Sequence, residues 1–182
     1  MNLTEKQIKA EYVYKGKIIN LRRDEALLPD GNTAVREVIE HPGGVCVVAL
    51  TEESEIMLVK QFRYPYSEET LEIPAGKRDR KDEDPLECGK RELREETGAA
   101  AQNYTFLGTL YPSPGYCGEI IWMYCATGLD FGELCPDDDE FLLVEKRPLD
   151  EVVSMILSGE ITDAKTQAAV LKVKILKDNG KL

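Results

Sequence analysis

Hydrophobic and polar positions divide the chain into a strand-rich front and a helix-rich back. Residues 10–28 mix aromatic, β-branched and charged side chains, then meet Leu28-Pro29-Asp30-Gly31, a turn signal. Residues 34–40 form a second extended stretch, and Pro42-Gly43-Gly44 closes it. This predicts a small antiparallel unit over residues 1–43, followed by a larger domain over residues 44–182. Residues 45–50 and 56–62 are compact apolar runs, and the polar residues 51–55 between them predict a hairpin. Leu71-Glu72-Ile73-Pro74-Ala75-Gly76 reads as a short strand entering a loop. Residues 104–111 and 119–127 predict two more strands, separated by an ordered Pro112-Ser113-Pro114-Gly115 turn. A further strand is expected at residues 141–146. Helices are expected at residues 149–158 and 163–178, the second opening at Asp163 and ending near Gly180. Strands that mostly precede helices predict an α+β or mixed α/β fold with a mixed sheet. There is no repeat and no low-complexity segment.

One helix stands out, at residues 84–98. Asp84 is an N-cap residue, Pro85 suits the first helical position, and Glu87 completes a capping-box pattern. Gly98 is a C-terminal stop. At about 100° per residue, setting Glu92 at zero puts Glu96 at about 40° and Glu95 at about 300°. Leu86, Gly89, Leu93 and Thr97 fall on the adjoining core-facing side. Like charges at these spacings oppose helix formation by about 0.2–0.5 kcal/mol per pair. Gly89 costs about 1 kcal/mol more relative to Ala, and a missing side chain there lets something approach closely. Hard oxygen ligands on one rigid face suit Mg²⁺ or Mn²⁺. A solvated acidic face is the alternative reading of the cluster.

Composition narrows the field. The 182 residues suffice for one domain with a small addition. The net charge of −11 argues against general electrostatic binding of nucleic acid or an anionic membrane. A phosphate compound would need cations or locally placed Arg and Lys. The single histidine, His41, disfavours a multi-histidine metal site. Five cysteines without CxxC spacing read as reduced thiols. The longest apolar run, residues 120–126, is too short to span a bilayer. The expectation is a cytoplasmic protein.

From Glu83 the chain reads E-x7-R-E-L-x-E-E-x-G-A, through Arg91, Glu92, Leu93, Glu95, Glu96 and Gly98. This resembles the Nudix box, G-x5-E-x7-R-E-U-x-E-E-x-G-U, with U a bulky apolar residue. The opening Gly76 lies one residue further from Glu83 than in the pattern, so either Asp82 or Glu83 could take the first acidic role. Ala99 is smaller than the usual last residue. Further stretches resemble the ADP-ribose pyrophosphatase branch of the family. They are Val35-Arg36-Glu37-Val38 with His41-Pro42-Gly43, and Val59-Lys60-Gln61-Phe62-Arg63 with residues 71–76. The Ser113-Pro114-Gly115 turn followed by Glu119 is another. Gly118 departs from that branch, whose members often carry an acid there.

The resemblance implies a Nudix α/β/α sandwich that hydrolyses ADP-ribose or a related ADP-sugar to AMP and a sugar phosphate. It implies Mg²⁺, with Mn²⁺ as an alternative, held by Glu92, Glu95, Glu96 and the Ala75 carbonyl. Arg91 would orient the glutamates, and Glu95 or Glu140 would be the general base. Arg36, Glu37, Arg63, Glu72, Gly115 and Glu119 match substrate-binding positions. Tyr12, Tyr14 and Tyr64 are the candidates to stack on the base. A homodimer that exchanges the N-terminal unit is also implied. Competing readings are a hydrolase of another nucleoside diphosphate sugar and a sensor that binds without cleaving. Retention of Glu92, Glu95 and Glu96 argues against the sensor.

Overall fold

The computed structural model describes residues 2–133 and 141–182. The chain forms two compact units, Met1–Gly43 with Tyr111–Ile120, and Gly44–Leu110 with Ile121–Leu182.

The first unit is an antiparallel meander of β1 (Lys6–Lys15), β2 (Asn20–Leu27) and β3 (Thr33–Glu40). The expected turn joins β2 to β3. Gly31 takes φ +90°, a conformation in which a Cβ would be strained, and its N–H donates to the Leu28 carbonyl at 3.0 Å. The segment Tyr111–Ile120 attaches to β3 through its backbone. Ile39 N–H donates to the Tyr116 carbonyl (2.8 Å), and Gly118 N–H donates to the Ile39 carbonyl (2.9 Å).

The second unit contains β4 (Gly44–Ala49), β5 (Glu55–Arg63), β6 (Glu68–Glu72), β7 (Ala75–Lys77), α1 (Pro85–Thr97), β8 (Ala99–Leu110) and β9 (Ile121–Phe131). It ends with β10 (Leu142–Pro148), α2 (Leu149–Ser158) and α3 (Ala164–Asp178). One sheet has the order β7-β4-β9-β8, with β4 parallel to β9 and the other ladders antiparallel. The other has the order β10-β5-β6 and is antiparallel.

The runs at residues 45–50 and 56–62 do not pair as the expected hairpin. The turn does form, with Thr51 N–H on the Glu55 carbonyl at 2.9 Å and a bridge from Leu50 to Ile56. The strands then part into different sheets. Both edges of β4 are taken by β7 and β9, so β5 pairs with β6 and β10 instead.

Strand β4 is buried along all six residues, and its alternation separates two cores. Val45, Val47 and Ala49 pack with Cys88 and Leu93 of α1. Cys46, Val48 and Leu50 pack with Leu149, Val152 and Met155 of α2 and Ala169, Val170 and Val173 of α3. A helix therefore covers each face of the mixed sheet, the expected α/β/α arrangement. The close approach anticipated at Gly89 is to β4: a Cβ there would stand 3.0 Å from Val45 Cγ2.

Candidate active site

Helix α1 is fixed at both ends as its sequence predicts. The Asp84 side chain accepts from Leu86 N (2.9 Å) and Glu87 N (3.1 Å). Gly98 takes φ +70°, and its N–H returns to the Arg94 carbonyl at 2.9 Å. The Glu87 half of the expected capping box does not form: its carboxylate accepts from Lys90 Nζ at 2.7 Å instead.

The helix face towards β7 carries the acids. Glu92 and Glu96 are buried, at 6% and 2% exposure. Glu96 accepts from the Ala75 N–H at 2.9 Å. The Glu92 carboxylate lies directly on Gly76, where a Cβ would stand 1.9 Å from Glu92 Cδ. Only glycine leaves room for it. Arg91 reaches both neighbours, with Nη2 on Glu92 at 2.9 Å and Nη1 on Glu95 at 2.9 Å. Burial opposes the Arg91 charge, but Glu92 and Glu95 outweigh that cost and hold its pKa above the ordinary value. Its Nε is buried and has no hydrogen-bond partner among the described residues. Helical spacing predicts Arg91 pairs with Glu87 and Glu95 on the far side of the cluster; the Glu95 pair forms, Glu87 is taken by Lys90, and the guanidinium also holds Glu92 within the cluster.

Of the two candidates for the first acidic role, Asp82 is exposed and beside Arg80, whereas Glu83 approaches Arg91 at 3.7 Å. The loop before α1, one residue longer than the pattern, is braced by buried Arg78. Arg78 stacks on Trp122 (4.8 Å) and donates from Nε to the Glu83 carbonyl (2.9 Å) and from Nη2 to the Lys81 carbonyl.

Behind the acids lies a second charged group. Glu72, 2% exposed, accepts from Arg63 Nε (2.7 Å) and Nη2 (2.5 Å), Thr70 Oγ1 (2.6 Å) and Lys165 Nζ (2.5 Å). Burial alone would push its carboxyl up, but Arg63 and Lys165 together hold it down at about 2. The sequence pointed to Arg63 and Glu72 and missed Lys165. A cation in the first turn of a helix, where the dipole disfavours it, was the available signal.

Arg36, Glu37, Gly115 and Glu119 belong to the first unit. Arg36 pairs with Glu5 at 2.6 Å, Glu37 is exposed on β3, and Glu119 lies 3.4 Å from His41 Nδ1. Tyr12, Tyr14 and Tyr64 are all exposed. Glu140 lies outside the described residues.

A hard divalent cation suits this donor set by chemistry. The Ala75 carbonyl and three carboxylates are hard oxygens on or beside a rigid helix face, without sulfur or imidazole. Among the described residues no three His, Cys, Asp or Glu groups gather round one point. Arg91 takes up Glu92 and Glu95, and the Ala75 amide takes up Glu96.

The NUDIX domain family matches residues 32–170. The chain belongs to the Nudix family. It is a Nudix hydrolase, and such enzymes generally use divalent metal ions. Residues 5–39 match a second family, the nucleoside diphosphate sugar hydrolase N-terminal domain. A methanol dehydrogenase activator from Bacillus methanolicus is 42% identical, over 91% of this chain and 90% of that protein. An ADP-ribose pyrophosphatase from Bacillus subtilis (strain 168) is 40% identical, over 93% of this chain and 92% of that protein. A crystal structure of an ADP compounds hydrolase superposes with a TM-score of 0.84. It covers 100% of both chains at 22% identity, and so shares the Nudix fold.

Proposed function

We propose that this Nudix hydrolase cleaves the diphosphate of ADP-ribose or a related ADP-sugar, giving AMP and ribose 5-phosphate from ADP-ribose, with Mg²⁺ as the working cation. The observation that carries this reading is the pair of buried carboxylates, Glu92 and Glu96, lodged against the Ala75–Gly76 backbone. Glu92, Glu95, Glu96 and the Ala75 carbonyl would hold the metal. When bound, it neutralises diphosphate charge and makes water more acidic. Arg91 orients Glu92 and Glu95, and the Ala75 N–H fixes Glu96. Arg63, clamped by Glu72, directs its remaining donors to a phosphate oxygen. Arg36, Glu37, Gly115 and Glu119 serve as substrate contacts. Glu95 or Glu140 takes the proton of the attacking water.

Residues 1–43 act as a unit exchanged in a homodimer, and residues 44–182 as the hydrolase domain. All ten residues of β1 are exposed, including Ile8, Val13 and Tyr14, which supports pairing with a second copy. The free thiols of Cys46, Cys88, Cys117 and Cys125 support a cytoplasmic setting.

The test is phosphate release from ADP-ribose with Mg²⁺ and an added phosphatase, beside GDP-mannose and other sugar nucleotides. Fast turnover of ADP-ribose, lost in Glu96→Gln, is the expected result. Preference for another sugar nucleotide overturns the substrate and keeps the mechanism. No turnover of any diphosphate by folded protein overturns the enzyme reading.

A further inference from the structure

Lys165 sits in a place that elementary electrostatics disfavours twice. It is the second residue of α3, where the helix dipole repels a cation, and its side chain is only 11% exposed. No acidic side chain occupies the first turn of that helix. Two acids offset the cost. Lys165 Nζ lies 2.5 Å from Glu72 and 3.0 Å from Asp163, the helix N-cap. The same turn grips the neighbouring backbone. Asp163 accepts from Thr166 N (2.9 Å) and Oγ1 (2.5 Å), and the Thr166 oxygen accepts from Ile73 N–H at 3.0 Å. Two residues beyond Ile73, the Ala75 N–H holds Glu96.

We propose that Lys165 is a positioning residue for Arg63, acting through Glu72. Glu72 carries one negative charge and accepts from two cations. Lys165 supports the carboxylate from the α3 side, fixing its plane so that both oxygens meet the Arg63 fork. Arg63 commits Nε and Nη2 to that fork, and its side chain stays 37% exposed. Nη1 is thereby left as the donor for an anionic ligand. The ligand class is the diphosphate of the proposed substrate, so the inference rests on that reading. It adds a residue from α3, far along the chain from the metal helix.

The experiment compares wild type, Lys165→Met and Lys165→Arg, with Glu96→Gln as a reference for lost chemistry. Lys165→Met should raise the KM for ADP-ribose about tenfold, the worth of one weakened charge-assisted hydrogen bond, with kcat within about twofold. Lys165→Arg should restore most of the loss. A second readout needs no substrate. The Arg63 Nε–H NMR signal, identified by its loss in Arg63→Lys, should exchange slowly with water in wild type and faster in Lys165→Met. An unchanged KM, or an unchanged exchange rate, overturns the proposal while leaving the hydrolase reading intact. A parallel fall of kcat and thermal stability without a KM change assigns Lys165 a purely structural role and overturns it too. Wild type that turns over nothing overturns the proposed function, and the exchange rate then decides the Arg63 clamp alone.

Discussion

Replacing Gly76 with alanine separates catalysis from stability. Gly76 sits in β7 opposite Val45, and its φ lies outside the left-handed region, so alanine fits the backbone. The obstacle is the Glu92 carboxylate, whose Cδ would lie 1.9 Å from the new methyl. Contact between carbons needs about 3.5 Å, so the carboxylate must retreat by roughly 1.5 Å. It is the end of a flexible side chain, and swinging it aside costs little folding energy. Its position relative to Glu96 and Ala75 is lost, however. A displacement of about 1 Å in a positioned group costs on the order of 10²-fold in rate, equivalent to about 2.7 kcal/mol of barrier. Gly76→Ala should therefore lower kcat/KM about 100-fold, require more Mg²⁺ for half-maximal rate, and move Tm by no more than about 3 °C. Initial rates across a Mg²⁺ series and a thermal melt measure both. Activity within about threefold of wild type would refute the reasoning, because Glu92 would then not be needed where the structure puts it.

Two other predictions concern the scaffold. Glu72→Gln leaves Arg63 and Lys165 facing each other without their shared carboxylate, so it should destabilise by about 3–5 kcal/mol at pH 7. Because the folded pKa of Glu72 is depressed from 4.5 to about 2, its contribution is present above 4.5 and is lost as pH falls through about 2; melts should show the variant's deficit shrinking over that window. Gly89→Ala gains about 1 kcal/mol of helix propensity but forces a methyl to 3.0 Å from Val45 Cγ2 and 3.3 Å from Val47 Cγ2. Overpacking at about 1–3 kcal/mol outweighs the gain, and urea unfolding should show a net loss of about 1 kcal/mol.

The metal-helix candidate was the most legible part of the chain because its signals are local. Asp84, Pro85 and Gly98 mark the ends, and the spacing of Glu92, Glu95 and Glu96 follows from helical geometry alone. The turn at Gly31 and the Asp163 cap were readable for the same reason. Strand pairing was not. Residues 45–50 and 56–62 have the local pattern of a hairpin, but β4 takes its partners from Ala75–Lys77 and Ile121–Phe131, which no local pattern announces. Lys165 was legible only as an odd cation in the first turn of a helix; its role was not, since its partner Glu72 arrives from another strand. Arg91 was located by spacing, yet its reach to Glu92 as well as Glu95 depends on side-chain direction.

The parallel pairing of β4 with β9 also sets an order of events during synthesis. Gly44 pairs with Ile121, so the six apolar residues of β4 leave the ribosome long before their parallel neighbour exists. Until α1, β8 and β9 have followed, only the short β7 is there to cover one edge. The nascent chain thus carries an exposed, uncharged β-forming segment through the middle of its production, the kind of stretch that self-associates or recruits chaperones. Expression yield should be sensitive to elongation speed between β4 and β9, even for synonymous codon changes that leave the finished enzyme identical.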